Sequence, residues 1–149
     1  MEGQDKKGIV YYFIIQLYAF IGIFKFFYMK KICLHLLILL YFFAGINHFW
    51  HPSFYLPIIP PYFSNPVLIN YVAGVAEIIL AILLIFSTTR KIAAYGIVAM
   101  LIAFIPAHIY FIQKGNFKLG NNTMTPIIGW IRLIIIHPLL IAWAWWYRK

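Results

Sequence analysis

The residues of this chain that could do chemistry are three histidines, His48, His108 and His137, together with Glu77 and Arg132, all set inside or at the end of long apolar runs. Such groups can pass a proton, hydrogen-bond a polar head group, or neutralise an anion. Asn47, beside His48, adds an amide that both donates and accepts. An unpaired charge near a bilayer centre is disfavoured by about 3 kcal/mol on insertion scales, so Glu77 must be paired or protonated. Three readings stay open: a Glu77–Arg132 salt bridge that locks helix register, a ligand pocket or proton-linked site, and a protonated Glu77 bonded to a backbone carbonyl.

Metal and thiol chemistry have weaker support. Asn47, His48, Glu77, His108 and His137 offer metal donors, but no helix carries a His-x-x-x-His or Glu-x-x-His pair, and no metal is assigned. Cys33 is the only cysteine, which excludes an internal disulfide, a CxxC pair and a thiolate cage. His35 reads as an interfacial residue. His51, between Trp50 and Pro52, reads as part of a helix end.

Positioning these groups requires helices that cross a bilayer. A spanning helix needs about 20 apolar residues, and Ile32–Trp50, Leu68–Phe86, Ile92–Gln113 and Ile127–Tyr147 each come close. The fold class is therefore all-α, a polytopic membrane protein with a four-helix transmembrane bundle. Gly8–Phe24 is a further apolar run of about 17 residues, at the lower limit for a span. We divide the chain into an N-terminal hydrophobic extension, residues 1–28, and a four-helix membrane domain, residues 29–149. The extension is either an extra helix or upstream of a true start at Met29-Lys30-Lys31, and no A-x-A cleavage site follows it.

Acidic residues are limited to Glu2, Asp5 and Glu77 against 12 Lys and Arg, for a net charge of +9. The basic residues cluster at span ends and do not form one face, which argues against a nucleic-acid partner and for topology signals. Lys25, Lys30, Lys31, Arg90, Lys91, Arg148 and Lys149 would share one side, with Lys114 and Lys118 opposite. The positive-inside rule then puts both ends of the four-helix unit in the cytoplasm, at the inner membrane.

On the second span Asn70, Gly74, Glu77 and Ala81 recur at helical spacing and should face the bundle. On the third, Gly96, Ala99, Ala103 and Ala107 form a stripe of small residues suited to close packing. A rise of about 1.5 Å per residue sets Glu77 about 13 Å and His137 about 15 Å below the outer ends of their helices. Arg132 and His108 lie about 7 Å in, with Asn47 and His48 near the outer end of the first span. The unequal levels of His48, His108 and His137 disfavour a haem between two of them. On an ideal helix Arg132 and His137 point about 140° apart, so one of them at most faces Glu77 directly. Pro106 and Pro138 free carbonyls near Ile102 and Ile134, where kinks would open a cavity.

The outer connections differ. His51–Pro66 interleaves Pro52, Pro57, Pro60, Pro61 and Pro66 with Phe54, Tyr55, Tyr62 and Phe63, which predicts an apolar cap lying over the bundle. Lys114–Pro126 reads as an ordinary solvated loop with a weak glycosylation sequon at Asn121-Asn122-Thr123. Trp143, Trp145, Trp146 and Tyr147 read as an interface belt.

From Tyr41 to Tyr110 the pieces AGINHFWHPSFYLPIIPPYF, NYVAGVAEIILAILLIF and TRKIAAYGIVAMLIAFIPAHIY stand in order, and LLIAWAWWY closes the last span. The chain resembles the DoxX family of small bacterial membrane proteins from about Met29 onward, through the Asn47-His48 pair, Ile59-Pro60-Pro61-Tyr62, Gly74-x-Ala76-Glu77 and Pro106-Ala107-His108 with Tyr110. The resemblance implies a four-helix bundle with cytoplasmic ends and a polar core at Asn47, His48, Glu77 and His108. It also implies a link to membrane redox systems, with quinone as the candidate cofactor and a redox partner protein. Where many relatives have Arg-Leu-Pro-x-Gln, this chain has Arg132-Leu133-Ile134-Ile135-Ile136-His137-Pro138, which leaves the role of His137 open. No haem, iron–sulfur or flavin motif is present, so electrons would have to come from the partner.

The function read from the sequence is a DoxX-like subunit that binds a quinone or similar amphipathic ligand, with the bilayer as its first partner. The alternative is a non-enzymatic scaffold or assembly protein with a structural buried ion pair. A small transporter would have to form a homo-oligomer. No catalytic residue is assigned.

Overall fold

The computed structural model describes residues 2–119 and 122–148. Helix α1 runs over Glu2–Trp50, α2 over Pro66–Ile85, α3 over Arg90–Gln113, α4 over Pro126–Ile131 and α5 over His137–Trp145, with a π-helical turn, Arg132–Ile136, between the last two. Among the described residues, four helical stretches are long and apolar enough to cross a membrane: Ile14–Trp50, Pro66–Ile85, Arg90–Gln113 and Pro126–Trp145. The protein is an all-α, multi-pass membrane protein. Outward faces carry exposed Val67, Leu68, Val72, Val75, Ile79 and Ile82 on α2, side chains suited to lipid.

The chain divides into two compact units, Met1–Leu36 and Leu37–Lys149. In the first, Tyr18, Phe20, Phe24 and Phe27 are all exposed. Helix α1 has no break where the sequence suggests a span beginning at Ile32. No proline precedes Pro52, so nothing in the chain interrupts its backbone bonding before that point.

The second unit is built from helices whose ends are chemically marked. The His51 N–H bonds the Asn47 carbonyl at 2.9 Å and Pro52 ends α1. Asn65 caps α2 by accepting the Leu68 N–H at 3.0 Å, with Pro66 in the first helical position. At the far end of α2, Arg90 donates to the Leu84 carbonyl at 3.0 Å and the Ile85 carbonyl at 3.1 Å, satisfying orphan acceptors.

Helices α1 and α2 pack backbone to backbone. A Cβ at Gly45 would stand 2.8 Å from the Gly74 carbonyl oxygen, and one at Gly74 would stand 2.9 Å from that of Gly45. The expected inward face of α2 is present, with Asn70, Gly74, Glu77 and Ala81 buried together with Leu84. The expected stripe on α3 is not. Its buried residues are Ala93, Ala94, Ile97, Met100, Leu101 and Phe111, while Ala99 and Ala103 are exposed. Gly96 still packs on Leu80, but the buried face of α3 mixes Ala93 and Ala94 with the larger Ile97, Met100, Leu101 and Phe111.

One connection and the aromatic tail depart from their sequence readings. Lys114–Pro126 carries a small antiparallel ladder, β1 (Phe117–Leu119) with β2 (Asn122–Met124), Lys118 opposite Thr123. Alternation explains it, since Lys118 is exposed between a half-buried Phe117 and a buried Leu119. Gly115, at φ +71°, turns the chain out of α3 into the hairpin, as glycine beyond a helix end does. Gly120 and the sequon's Asn121 lie outside the described residues. The aromatic tail also splits: Trp145 and Trp146 are exposed, but Tyr147 is buried.

Candidate functional site

Asn70 decides how His48 is oriented. Its Nδ2 donates to the His48 backbone carbonyl at 2.8 Å, and a carbonyl can only accept, which fixes the amide. Its Oδ1 therefore faces the His48 ring, 2.8 Å from Nδ1, and Nδ1 must carry the hydrogen. The opposite nitrogen, Nε2, lies 3.6 Å from Oε2 of Glu77. That separation is just beyond hydrogen-bond length, and both side chains are buried. Helix rise alone sets His48 near the membrane surface and Glu77 much deeper. Side chains tilt toward the start of their own helix, so on the two antiparallel helices His48 and Glu77 lean toward each other.

The proline-rich connection folds as two short 3₁₀ turns, Pro52–Phe54 and Leu56–Ile58, and closes over this pair as expected. Tyr55 stacks on His48 with ring centroids 3.6 Å apart and planes 20° from parallel. Its hydroxyl oxygen accepts from Asn47 Nδ2 at 2.8 Å, leaving the O–H free to donate elsewhere. Burial first, and then the Glu77 carboxyl, push the Tyr55 phenol above its ordinary pKa, so it remains a donor at neutral pH. His51 Nδ1 completes the row with a 2.9 Å contact to Asn47 Oδ1. Lys114 Nζ donates to the Pro57 carbonyl at 2.8 Å, tying the cap to the end of α3.

The third wall comes from α3 and the last helical segment. The His137 N–H bonds the Arg132 carbonyl, closing a turn of five residues where an α-helix uses four. Pro138 supplies the cause, since it lacks the N–H an α-turn would use and its ring crowds the carbonyl of Ile134. This wider turn changes the spacing expected from ideal helix geometry: Arg132 and His137 line the same cavity, and among the described residues neither pairs with Glu77. His137 Nε2 donates to the Leu101 carbonyl at 2.7 Å. The His108 and His137 rings meet edge to face, 4.8 Å apart, despite their unequal depths. The same side-chain tilt on antiparallel helices closes that gap.

Of the three readings open for Glu77, the pairing with Arg132 does not hold. A Glu77–Arg132 salt bridge is not formed: among the described residues, the ionisable group within 4.0 Å of Glu77 is His48. The Arg132 guanidinium instead stands 5.6 Å over the ring of Phe111, a cation–π distance. Its attachment to the π turn carries it toward α3.

These walls border a partly open cavity of about 540 Å³, lined by His48, Tyr55, Glu77, His108, Arg132 and His137 among mostly aliphatic neighbours such as Leu40, Ile59, Met100 and Leu140. Asn47 does not line it and acts through Tyr55. Ala103 and Ala107 border it, so small residues that fail to pack a helix here leave room. Two buried polar atoms of its lining have no hydrogen-bond partner among the described residues, the Tyr41 hydroxyl and Glu77 Oε2. Buried polar atoms are normally satisfied, so each of these two calls for a physical explanation. No three His, Cys, Asp or Glu side chains gather as a metal cluster among the described residues.

A family profile described as a domain of unknown function, DUF8561, matches residues 37–148. The chain belongs to the DUF8561 family. The match is to DUF8561 and not to DoxX. No curated protein and no solved structure matches. The DUF8561 region coincides with the second compact unit almost throughout and includes every residue of the cavity wall.

Within the DUF8561 domain, His48, Glu77, His108, Arg132 and His137 come together as the sequence suggests. Tyr41, Tyr55 and Asn70 complete the site, although the sequence reading does not count them among its site residues. Asn70 does carry a signal, since it stands two helical turns from Glu77 on one face. Tyr55 has none beyond its place in an apolar loop.

Proposed function

We propose that the DUF8561 domain is the ligand-binding part of a DoxX-like membrane subunit, and that its cavity takes an amphipathic small molecule with an oxygen-bearing head. The observation that carries this reading is the pair of orphaned polar atoms, on Tyr41 and Glu77, in the wall of an otherwise apolar cavity of about 540 Å³. That volume falls within the roughly 300–1,000 Å³ usual for small-molecule sites. A quinone is the candidate suggested by the DoxX resemblance: Tyr55 and Arg132 would donate to its oxygens, with Glu77 and His108 as proton partners. The 3₁₀ connection is the lid. Electrons would come from a partner protein.

The basic residues support an orientation in which Arg90, Lys91, Arg148 and Lys149 are cytoplasmic and Lys114 and Lys118 lie on the opposite side, with the cavity in the outer half of the membrane. The scaffold alternative loses its simplest form, because it required Arg132 to pair with Glu77.

The test is to purify the protein in mild detergent, extract it with organic solvent and search the extract by mass spectrometry. A stoichiometric quinone or other amphiphile, lost in Glu77→Gln or His108→Ala, is the expected result. An extract holding bulk phospholipid alone from correctly folded protein would sink the pocket reading.

A further inference from the structure

Charge counting in the cavity wall narrows the ligand class. Glu77 is the only acidic residue after Asp5, so no second carboxylate side chain is available anywhere in the second compact unit. His48 compensates it from 3.6 Å. Because Nδ1–H of His48 is committed to Asn70, Nε2 is the ring nitrogen that faces Glu77. Two arrangements are then compatible with burial: a neutral acid facing a neutral imidazole, or a carboxylate facing an imidazolium. Both sum to zero. A carboxylate against a bare ring nitrogen would set lone pair against lone pair and leave an unpaired buried charge, costly in an apolar setting.

The remaining wall groups do not change this sum. The hydroxyls of Tyr41 and Tyr55 are neutral donors, and the His108 and His137 rings, one of them bonded to the Leu101 carbonyl, supply no negative charge. Arg132 is thus left with its full positive charge in the cavity wall, facing no carboxylate among the described residues and resting on Phe111. Arginine stays protonated in such settings. A low-dielectric pocket holding one uncompensated guanidinium selects a ligand that brings one negative charge.

Resting on the pocket reading above but replacing its quinone candidate, we infer that the cavity binds a single-chain amphiphile whose head is a monoanionic carboxylate, held by Arg132 and hydrogen-bonded by Tyr55, with its chain along the aliphatic wall. The cavity volume of about 540 Å³ has room for one such chain.

Native mass spectrometry of the detergent-solubilised full chain tests this with four probes: laurate, dodecanol as the same chain without charge, a short-chain neutral benzoquinone, and phosphatidylglycerol. Laurate should bind at least about tenfold tighter than dodecanol, a step in the range of one charge-assisted contact. Arg132→Gln should abolish that preference while Arg132→Lys retains part of it. Equal binding of laurate and dodecanol, or tight binding of the benzoquinone alone, would overturn the anionic head and leave the pocket standing. Binding of phosphatidylglycerol alone would overturn the single-chain assignment. Failure of all four would overturn both this inference and the pocket. The comparison of laurate with dodecanol is made on the unmodified protein, so it does not depend on any variant folding.

Discussion

The His137 amide hydrogen is bonded to the carbonyl of Arg132, five residues earlier, and this one widened turn brings the cation and the imidazole to the same cavity. Pro138 imposes the turn by withholding the N–H that an α-helix would use. Replacing it should let the segment relax. In Pro138→Ala, residues 132–137 are expected to become α-helical and Arg132 to turn away from the wall. Hydrogen exchange over 132–138 and ligand occupancy in the purified protein would record this; an unchanged exchange pattern with full occupancy would show that the π turn does not depend on the proline.

The closest approach of α1 and α2 leaves no room for a side chain. A Cβ at Gly74 would lie 2.7 Å from that of His48 and 2.9 Å from the Gly45 carbonyl, so Gly74→Ala should destabilise by about 1–3 kcal/mol through forced backbone separation. Gly22, where an added Cβ would meet nothing within 4 Å, provides the control, and Gly22→Ala should be neutral or slightly stabilising. Thermal melting of both in detergent decides the point. Equal melting temperatures would mean the helices can separate freely.

Asn70 is expected to set the His48 tautomer. Asn70→Leu removes the acceptor from Nδ1 and the donor from the His48 carbonyl in one step, at an expected cost of about 1–3 kcal/mol for the buried groups left unpaired. Nitrogen NMR of the His48 ring should report Nδ1–H in the parent and a tautomer mixture in the variant. A parent ring protonated on Nε2 alone would contradict the amide orientation that the His48 carbonyl imposes on Asn70.

Lys114 is exposed, and its bond to the Pro57 carbonyl should matter for motion more than for stability. Lys114→Met is expected to change the melting free energy by no more than about 1 kcal/mol. Cleavage within residues 51–65 by added protease should nevertheless accelerate, since that contact fastens the cap to α3. Indistinguishable digestion rates would remove Lys114 from any role in holding the lid.

Membrane orientation can be read chemically. With Cys33→Ser as background, a cysteine introduced at Ser87 should react with an impermeant maleimide only after the cytoplasmic face is opened, and one at Asn116 should react from outside. The reverse pattern would invert the placement of the basic residues and of the cavity with it.

Much of this architecture was legible in the amino-acid order because lipid leaves few choices. Long apolar runs must be helices, since every backbone polar group has to be satisfied within the segment. Helical spacing alone put Asn70, Gly74, Glu77 and Ala81 on one buried face. The prolines of residues 51–66 ruled out a continuous helix and left an apolar cap. Partnership was not legible. The amino-acid order offered Arg132 to Glu77, and tertiary structure gave Glu77 to His48 and Arg132 to Phe111. The π turn of the last segment was not legible either, because the 3.6-residue period used to place Arg132 and His137 takes no account of a widened turn. Apolar pattern and helix period are properties of neighbours along the chain, and they are written in it. Which buried polar group meets which depends on side-chain tilt, on one inserted residue in a turn and on a backbone contact at Gly45 and Gly74, and only the packed bundle determines those.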